Sequence, residues 1–314
     1  MIQNRRKFIS TVAASSVALP LVSGFRSLIS DKKYFKINLF SKPLDRYDND
    51  FICQCLVNSG IEGIDVTVRK DGKVEPETVD SALPALIEKA GKINLDVGMI
   101  VTGILSAGDP LTEKILKIAS ANGVKYYRLG WFEYDRKRGI WETLQNYRNT
   151  LAGIVNLNRK YNIHGTYQNH SGTYVGGPVW DLNELFRDFP PELIGCQYDV
   201  RHAMVEGYET WPIGFSLIAG HINTLAIKDF TWITKGKPYP ETVPLGEGMV
   251  DWDLYFKMVK ELNINAPITL HVEYPLLAEG EEKLSLAKQQ DIIIKKLKKD
   301  TDFIKSYLKK YQLT

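Results

Sequence analysis

A chain of 314 residues with 44% hydrophobic and 25% charged residues can bury a full core, and it fits one large α/β domain or two smaller ones rather than a disordered or fibrous protein. Its 40 basic residues against 37 acidic ones leave a net charge of only +3, so no whole-molecule field draws it to nucleic acid, and the Lys-rich stretch 295–310 is the one basic cluster. Cys53 and Cys55 stand two apart in an expected helix and Cys196 in an expected strand, which offers no framework of spaced disulfides.

Residues 1–24 read as a targeting segment. Asn4-Arg5-Arg6-Lys7-Phe8 sets two adjacent arginines before a short apolar run, 11–22, that ends in Val22-Ser23-Gly24. This resembles a twin-arginine export signal and implies an exported, periplasmic protein whose mature chain begins near Phe25. The run is too short for a bilayer-spanning helix, so no stable membrane span is expected.

From Tyr34 onward, short apolar runs alternate with amphipathic segments. Strands are expected over 35–40, 64–68, 95–101, 124–129, a run ending at His170, 194–199, 222–228 and 268–273. Helices are expected over 45–58 (closed by Gly60), 79–93 (with Pro84 as a local disturbance), 111–121 (stopped by Asn122-Gly123), 141–161, 180–189, 211–219, 252–262 and 284–298. A second short helix in 301–314 forms a C-terminal extension with one apolar face, able to cover the barrel or meet another subunit; the oligomeric state is left open.

Strand and helix pairs at a spacing of roughly 30 residues match a single (β/α)8 TIM barrel over 34–300. A doubly wound open sheet is the competitor. It is disfavoured because no Gly-x-Gly-x-x-Gly follows the first strand, and for the same reason no nucleotide cofactor is expected. Polar residues end nearly every strand instead: Arg69, Arg128, Gln168-Asn169-His170, Asp199-Val200-Arg201-His202, Lys228-Asp229, and His271 with Glu273. Side chains two apart on a strand share a face, so Gln168 points with His170, and His271 with Glu273. In a closed barrel all of these meet at one mouth.

Asp65-Val66-Thr67-Val68-Arg69, Val74-Glu75-Pro76-Glu77, Gln168-Asn169-His170, Tyr198-Asp199-Val200-Arg201-His202, Lys228-Asp229-Phe230-Thr231-Trp232 and Pro244-Leu245-Gly246-Glu247-Gly248 together resemble the sugar phosphate isomerase/epimerase group of the xylose-isomerase-like barrel superfamily. The resemblance implies one divalent metal (Mn, Mg, Co or Zn) on a Glu, an Asp, a His and a Glu at strands five to eight. Those places hold Gln168, Asp199, Ala226 and Glu273 here, so two of four match and the strand-seven donor is missing. The expected metal ligands are therefore Asp199, Glu273 and Gln168, holding the ion weakly, with His170 or His271 able to complete the shell.

Two function classes follow. One is an enzyme that moves a proton next to a carbonyl of a sugar, keto-sugar or polyol, giving isomerisation, epimerisation or elimination. Glu273 is then the base, His202 or His170 the proton donor, and Lys228 or a metal the holder of the enediolate charge. Arg69, Arg128, Arg201, Trp232 and His271 are the expected substrate contacts, with Trp131, Trp180 and Trp252 as further stacking candidates near the loops. The other is a non-catalytic sugar-binding protein on a decayed barrel. An endonuclease of the same superfamily needs more histidines in place than the five present.

Overall fold

The computed structural model describes residues 35–313, and the leader segment expected over 1–24 lies outside the described residues. Eight parallel strands close into one barrel: β1 Ile37–Phe40, β2 Gly63–Val68, β3 Asp96–Thr102, β4 Tyr126–Arg128, β5 His164–Gln168, β6 Ile194–Asp199, β7 Ile222–Ile227 and, as the eighth stave, β10 Ile268–Leu270. Closure is direct, because Ile37 to Leu39 pair in register with Ile268 to Leu270 while Asn38 to Phe40 pair with Gly63 to Asp65. The (β/α)8 barrel expected from the alternation is the fold observed.

The helices are α1 Asn49–Ser59, α2 Val79–Gly91, α3 Pro110–Ala121, α4 Ile140–Tyr161, α5 Trp180–Phe186, α6 Val200–Gly207, α7 Trp211–Ile218, α8 Trp252–Glu261 and α9 Leu286–Lys310. Their starts are chemical. Asp48, Asp109, Asp251 and Ser285 each accept a hydrogen bond from a backbone N–H in the first turn of α1, α3, α8 and α9, satisfying one donor that the helix leaves open. Gly60 ends α1 at φ 75°, as expected for a left-handed cap. Helix α2 continues through Pro84. Among the described residues no helix is long and apolar enough to cross a membrane.

Three elements depart from the sequence expectation. Asp199 caps α6, which follows β6 without a loop, whereas only site residues were expected there. A two-stranded antiparallel hairpin, β8 Asp229–Ile233 and β9 Tyr239–Val243, is inserted after β7. The expected second helix after residue 300 is the same helix continued, since α9 runs unbroken to Lys310 with no Gly or Pro to stop it.

Period-two alternation sorts the strand side chains. Leu39, Val66, Tyr127, Tyr167, Tyr198 and Leu225 are buried in the main core with the helices. Inside the barrel lies a mixed layer in which Phe40, Met99 and Val101 form a small apolar cluster, while Thr166 meets Thr224 at 3.1 Å and Gln197 donates to Thr269 at 3.3 Å. Asp65 is fully buried and accepts from the Thr269 hydroxyl. Its burial pushes the carboxyl up to about 7.

Candidate active site

The residues that end β4 to β7 and β10 form one connected network at the carboxyl end of the barrel. Arg128 Nη1 donates to Gln168 Oε1 at 2.6 Å, and Gln168 Nε2 donates to Asp199 Oδ2 at 2.8 Å. The Lys228 ammonium stands 3.3 Å from that same Asp199 oxygen and donates to both oxygens of Glu273, at 3.1 and 3.2 Å. Lys228 and Asp199 are almost fully buried, whereas the Glu273 side chain is 39% exposed, so the pair is open to the mouth only on the Glu273 side. Burial alone would raise the Glu273 carboxyl, but the Lys228 ammonium and the nearby His271 outweigh it and hold the group far below the usual carboxylate range.

Asn169, placed at the mouth with its triplet but given no role there, fixes Asp199. Its Oδ1 accepts from Asp199 N at 2.7 Å and its Nδ2 donates to Asp199 O at 3.0 Å, a two-bond staple from the end of β5 to the end of β6. Asp199 Oδ1 also accepts from His202 N at 3.1 Å, which caps α6 and brings the His202 ring to the site.

Two imidazoles, His170 and His202, lie 3.9 Å apart between ring centres with their planes tilted by 36°. Their tautomers follow from their partners. Arg201 Nη1 lies 3.0 Å from His202 Nδ1 and has no lone pair, so Nδ1 accepts and the neutral ring carries its proton on Nε2. That Nε2 is 3.7 Å from Asp199 Oδ2 and has no hydrogen-bond partner. His170 Nδ1 faces the Ser171 carbonyl at 2.8 Å and must donate, leaving Nε2 as the acceptor. Burial, then the Lys228 charge, holds both rings below the ordinary histidine range, His202 furthest. One neutral ring thus offers a proton and the other a lone pair.

On the opposite side Phe40 is the floor. His271 stacks on it at 4.7 Å with neither ring nitrogen hydrogen-bonded, and Arg69 and Arg128 present their guanidinium carbons 5.9 and 5.4 Å from its centre. Trp131 covers the far face of this group, 4.6 Å from Arg128 and 4.7 Å from the His170 ring. A cleft of about 610 Å³ opens beside it, lined by Phe40, Lys42, Arg46, Glu273 and Tyr274 with neighbouring apolar residues.

Not every expected contact is here. Arg201 reaches sideways, donating to Ser171 Oγ at 3.3 Å and to Pro240 O at 2.9 Å, which ties β9 to the site. Trp232 is half-buried in β8, edge-on to Phe230 at 6.1 Å. Trp180 lines a separate small cleft with Thr210 and Trp211, and buried Trp252 donates to Asp229. Asp229 itself holds the loop after β9, accepting from the N–H groups of Gly246, Gly248 and Val250 at 3.0 to 3.2 Å.

The donor set does not fit the divalent ion that the resemblance implies. Ala226 is fully buried and supplies nothing, the Gln168 oxygen is taken by Arg128, and a lysine ammonium already lies between the two carboxylates. Among the described residues no group of three His, Cys, Asp or Glu is arranged to hold a metal ion.

The family model described as xylose isomerase-like TIM barrel matches residues 58–296, most of the chain. The chain belongs to this family. Solved structures that share the family fold include a xylose isomerase domain protein from Planctomyces limnophilus (14% identity, covering 90% of this chain and 100% of that one, TM-score 0.66). Others are a D-allulose 3-epimerase from Methylomonas sp. (13%, 88% and 99%, TM-score 0.62) and a 3-keto-D-glucoside 4-epimerase from E. coli (12%, 82% and 99%, TM-score 0.56). Identities this low establish the shared fold and leave the reaction to the site. Comparison with curated protein sequences gave no significant match.

Proposed function

We propose that this family member is an enzyme that moves a proton at the carbon next to a carbonyl of a sugar, keto-sugar or polyol, giving an epimer or isomer, with the Lys228 ammonium as the cation of the site. Glu273 takes the C–H proton, the electron pair moves onto the carbonyl oxygen, and Lys228 turns from Glu273 to that oxygen as its charge develops. Losing its ammonium partner restores basicity to Glu273 at the moment it is needed. His202 Nε2–H, as a neutral ring, donates a hydrogen bond to that oxygen as its charge develops, and the protonated Glu273 hands its proton on to carbon. The observation that carries this reading is the position of Lys228 between Asp199 and Glu273, 3.3 and 3.1 Å away. A weakly held divalent ion on Asp199, Glu273 and Gln168 would have to expel that ammonium and pull Gln168 from Arg128, so the lysine is the reading adopted.

The test is deuterium uptake from solvent into a panel of ketoses, followed by NMR after exhaustive chelation. Exchange is expected to survive chelation and to fall by about 100-fold or more in Lys228→Met, as for loss of an oxyanion donor. Exchange that disappeared on chelation and returned with Mn²⁺ would overturn the lysine reading, and sugars that bind without any exchange would favour the non-catalytic alternative. We also propose that residues 1–24 direct export to the periplasm, on the strength of Arg5-Arg6 and the short apolar run behind them.

A further inference from the structure

Arg69 and Arg128 are two guanidinium groups brought to one aromatic ring, Phe40, and neither has a carboxylate within 4.0 Å among the described residues. Like charges gathered in a partly desolvated place are unfavourable unless a counter-ion joins them. Of the carboxylates nearby, Asp199 and Glu273 are paired with Lys228, Asp65 is pushed toward its neutral form by burial, and Asp45, which accepts from the Thr67 hydroxyl at 2.7 Å, acts on Arg69 only from beyond ion-pair distance. Arg69 is half-buried and its guanidinium hydrogen-bonds to no described residue. Arg128 is 2% exposed, and its Nε is buried with no partner. Because Nη1 is spent on Gln168, the unspent edge of Arg128 is Nε with Nη2, the fork that matches the two oxygens of one carboxylate.

We propose that Arg69 and Arg128 form an anion subsite and that the substrate is an acidic sugar, whose carboxylate pairs with these guanidinium groups while its carbonyl end lies at Lys228 and Glu273. The proposal rests on the proton-transfer reading of the site and names its substrate class. The geometry agrees with one ligand reaching both ends. Arg128 is linked to Lys228 through Gln168 and Asp199 alone, and Phe40 lies under the guanidinium pair and beside the cleft that Glu273 also lines. His271, stacked on Phe40, turns Nδ1 to within 3.6 Å of Glu273 Oε1 and leaves Nε2 without a partner, placed to meet a hydroxyl between the two ends.

The test is equilibrium binding by calorimetry with D-fructuronate, D-fructose and D-fructose 6-phosphate, which differ only at the sixth carbon. Wild-type protein is expected to bind the uronate at least about tenfold more tightly than fructose, and Arg69→Gln to shrink that preference about tenfold. The Arg69 guanidinium makes no hydrogen bond among the described residues and the backbone bonds of Arg69 survive the change, so this variant is expected to keep the wild-type circular dichroism and melting temperature. Equal binding of uronate and fructose, no uronate binding, or an unchanged preference in Arg69→Gln would overturn the subsite. Tighter binding of the 6-phosphate than of the uronate would overturn the carboxylate assignment. Binding is read without turnover, so an Arg69-dependent uronate preference with no deuterium exchange would sink the proton-transfer reading and leave the subsite standing.

Discussion

Glu273 carries the sharpest consequence of a lysine between two carboxylates. Replacing it with Gln preserves the shape and one hydrogen-bond acceptor for Lys228 but removes both the charge and the basic oxygen. Turnover in Glu273→Gln is expected to fall by about three orders of magnitude with sugar affinity changed only a few-fold, a split visible as kcat lost and KM kept. Full activity would remove Glu273 as the base. Asp199, Lys228 and Glu273 were legible in the sequence because each ends an apolar run where strand alternation turns it inward. Asn169 was not legible as a positioning residue. It works on the backbone of Asp199 thirty residues away, and no spacing records which peptide a neighbouring strand will present. The capture of Gln168 by Arg128, forty residues apart, was hidden for the same reason.

At the scale of elements, the hairpin after β7 binds the site to the surface. Asp229 receives four backbone N–H groups and the Trp252 indole, and Arg201 donates to the Pro240 carbonyl, so the Lys-Asp pair has divided labour: Lys228 serves the mouth and Asp229 the loop. Gly248 is demanded by this packing, since a Cβ there would come 2.1 Å from Asp229 Oδ1 and 2.5 Å from the Phe230 carbonyl. Gly248→Ala is therefore expected to destabilise the fold by about 1–3 kcal/mol and to expose the loop between β9 and α8 to limited proteolysis before the barrel melts. A melting temperature within a degree of wild type would show that the loop relaxes freely. The hairpin escaped the sequence reading because only Lys228 separates β7 from β8, so two strands read as one with a polar tail. Helix α6 escaped because its cap is the site residue Asp199. Elements with their own apolar period and their own stops, such as α3 and α4, were placed within one residue at each end.

The whole molecule adds two predictions. Lysines in place of Arg5 and Arg6 are expected to leave the precursor in the cytoplasm in a fractionation assay, and unchanged periplasmic accumulation would end the export proposal. The second concerns the barrel interior, where alternation sets Asp65 on the same face as Thr67 and Arg69 but gave no sign of how deeply its carboxyl is buried. Asp65 titrates near 3.8 when exposed and at about 7 when buried. Between these values the folded state binds the extra proton, so stability is fullest below pH 3.8 and falls as pH rises toward 7. The gap corresponds to about 4 kcal/mol at full ionisation. The buried imidazoles act in the opposite sense: His170, His202 and His271 are held below the ordinary histidine value, so the unfolded chain takes protons that the fold refuses, and stability falls as pH drops below 6.5. Asp65→Asn isolates the first effect. The amide retains an oxygen for the Thr269 hydroxyl and brings an N–H to an interior where Asn38 Oδ1 has no partner. Urea unfolding is expected to find the variant close to wild type at about pH 4 and more stable by roughly 2–4 kcal/mol at about pH 8. A difference that does not grow with pH would mean that Asp65 stays protonated across this range or finds a cation that compensates it.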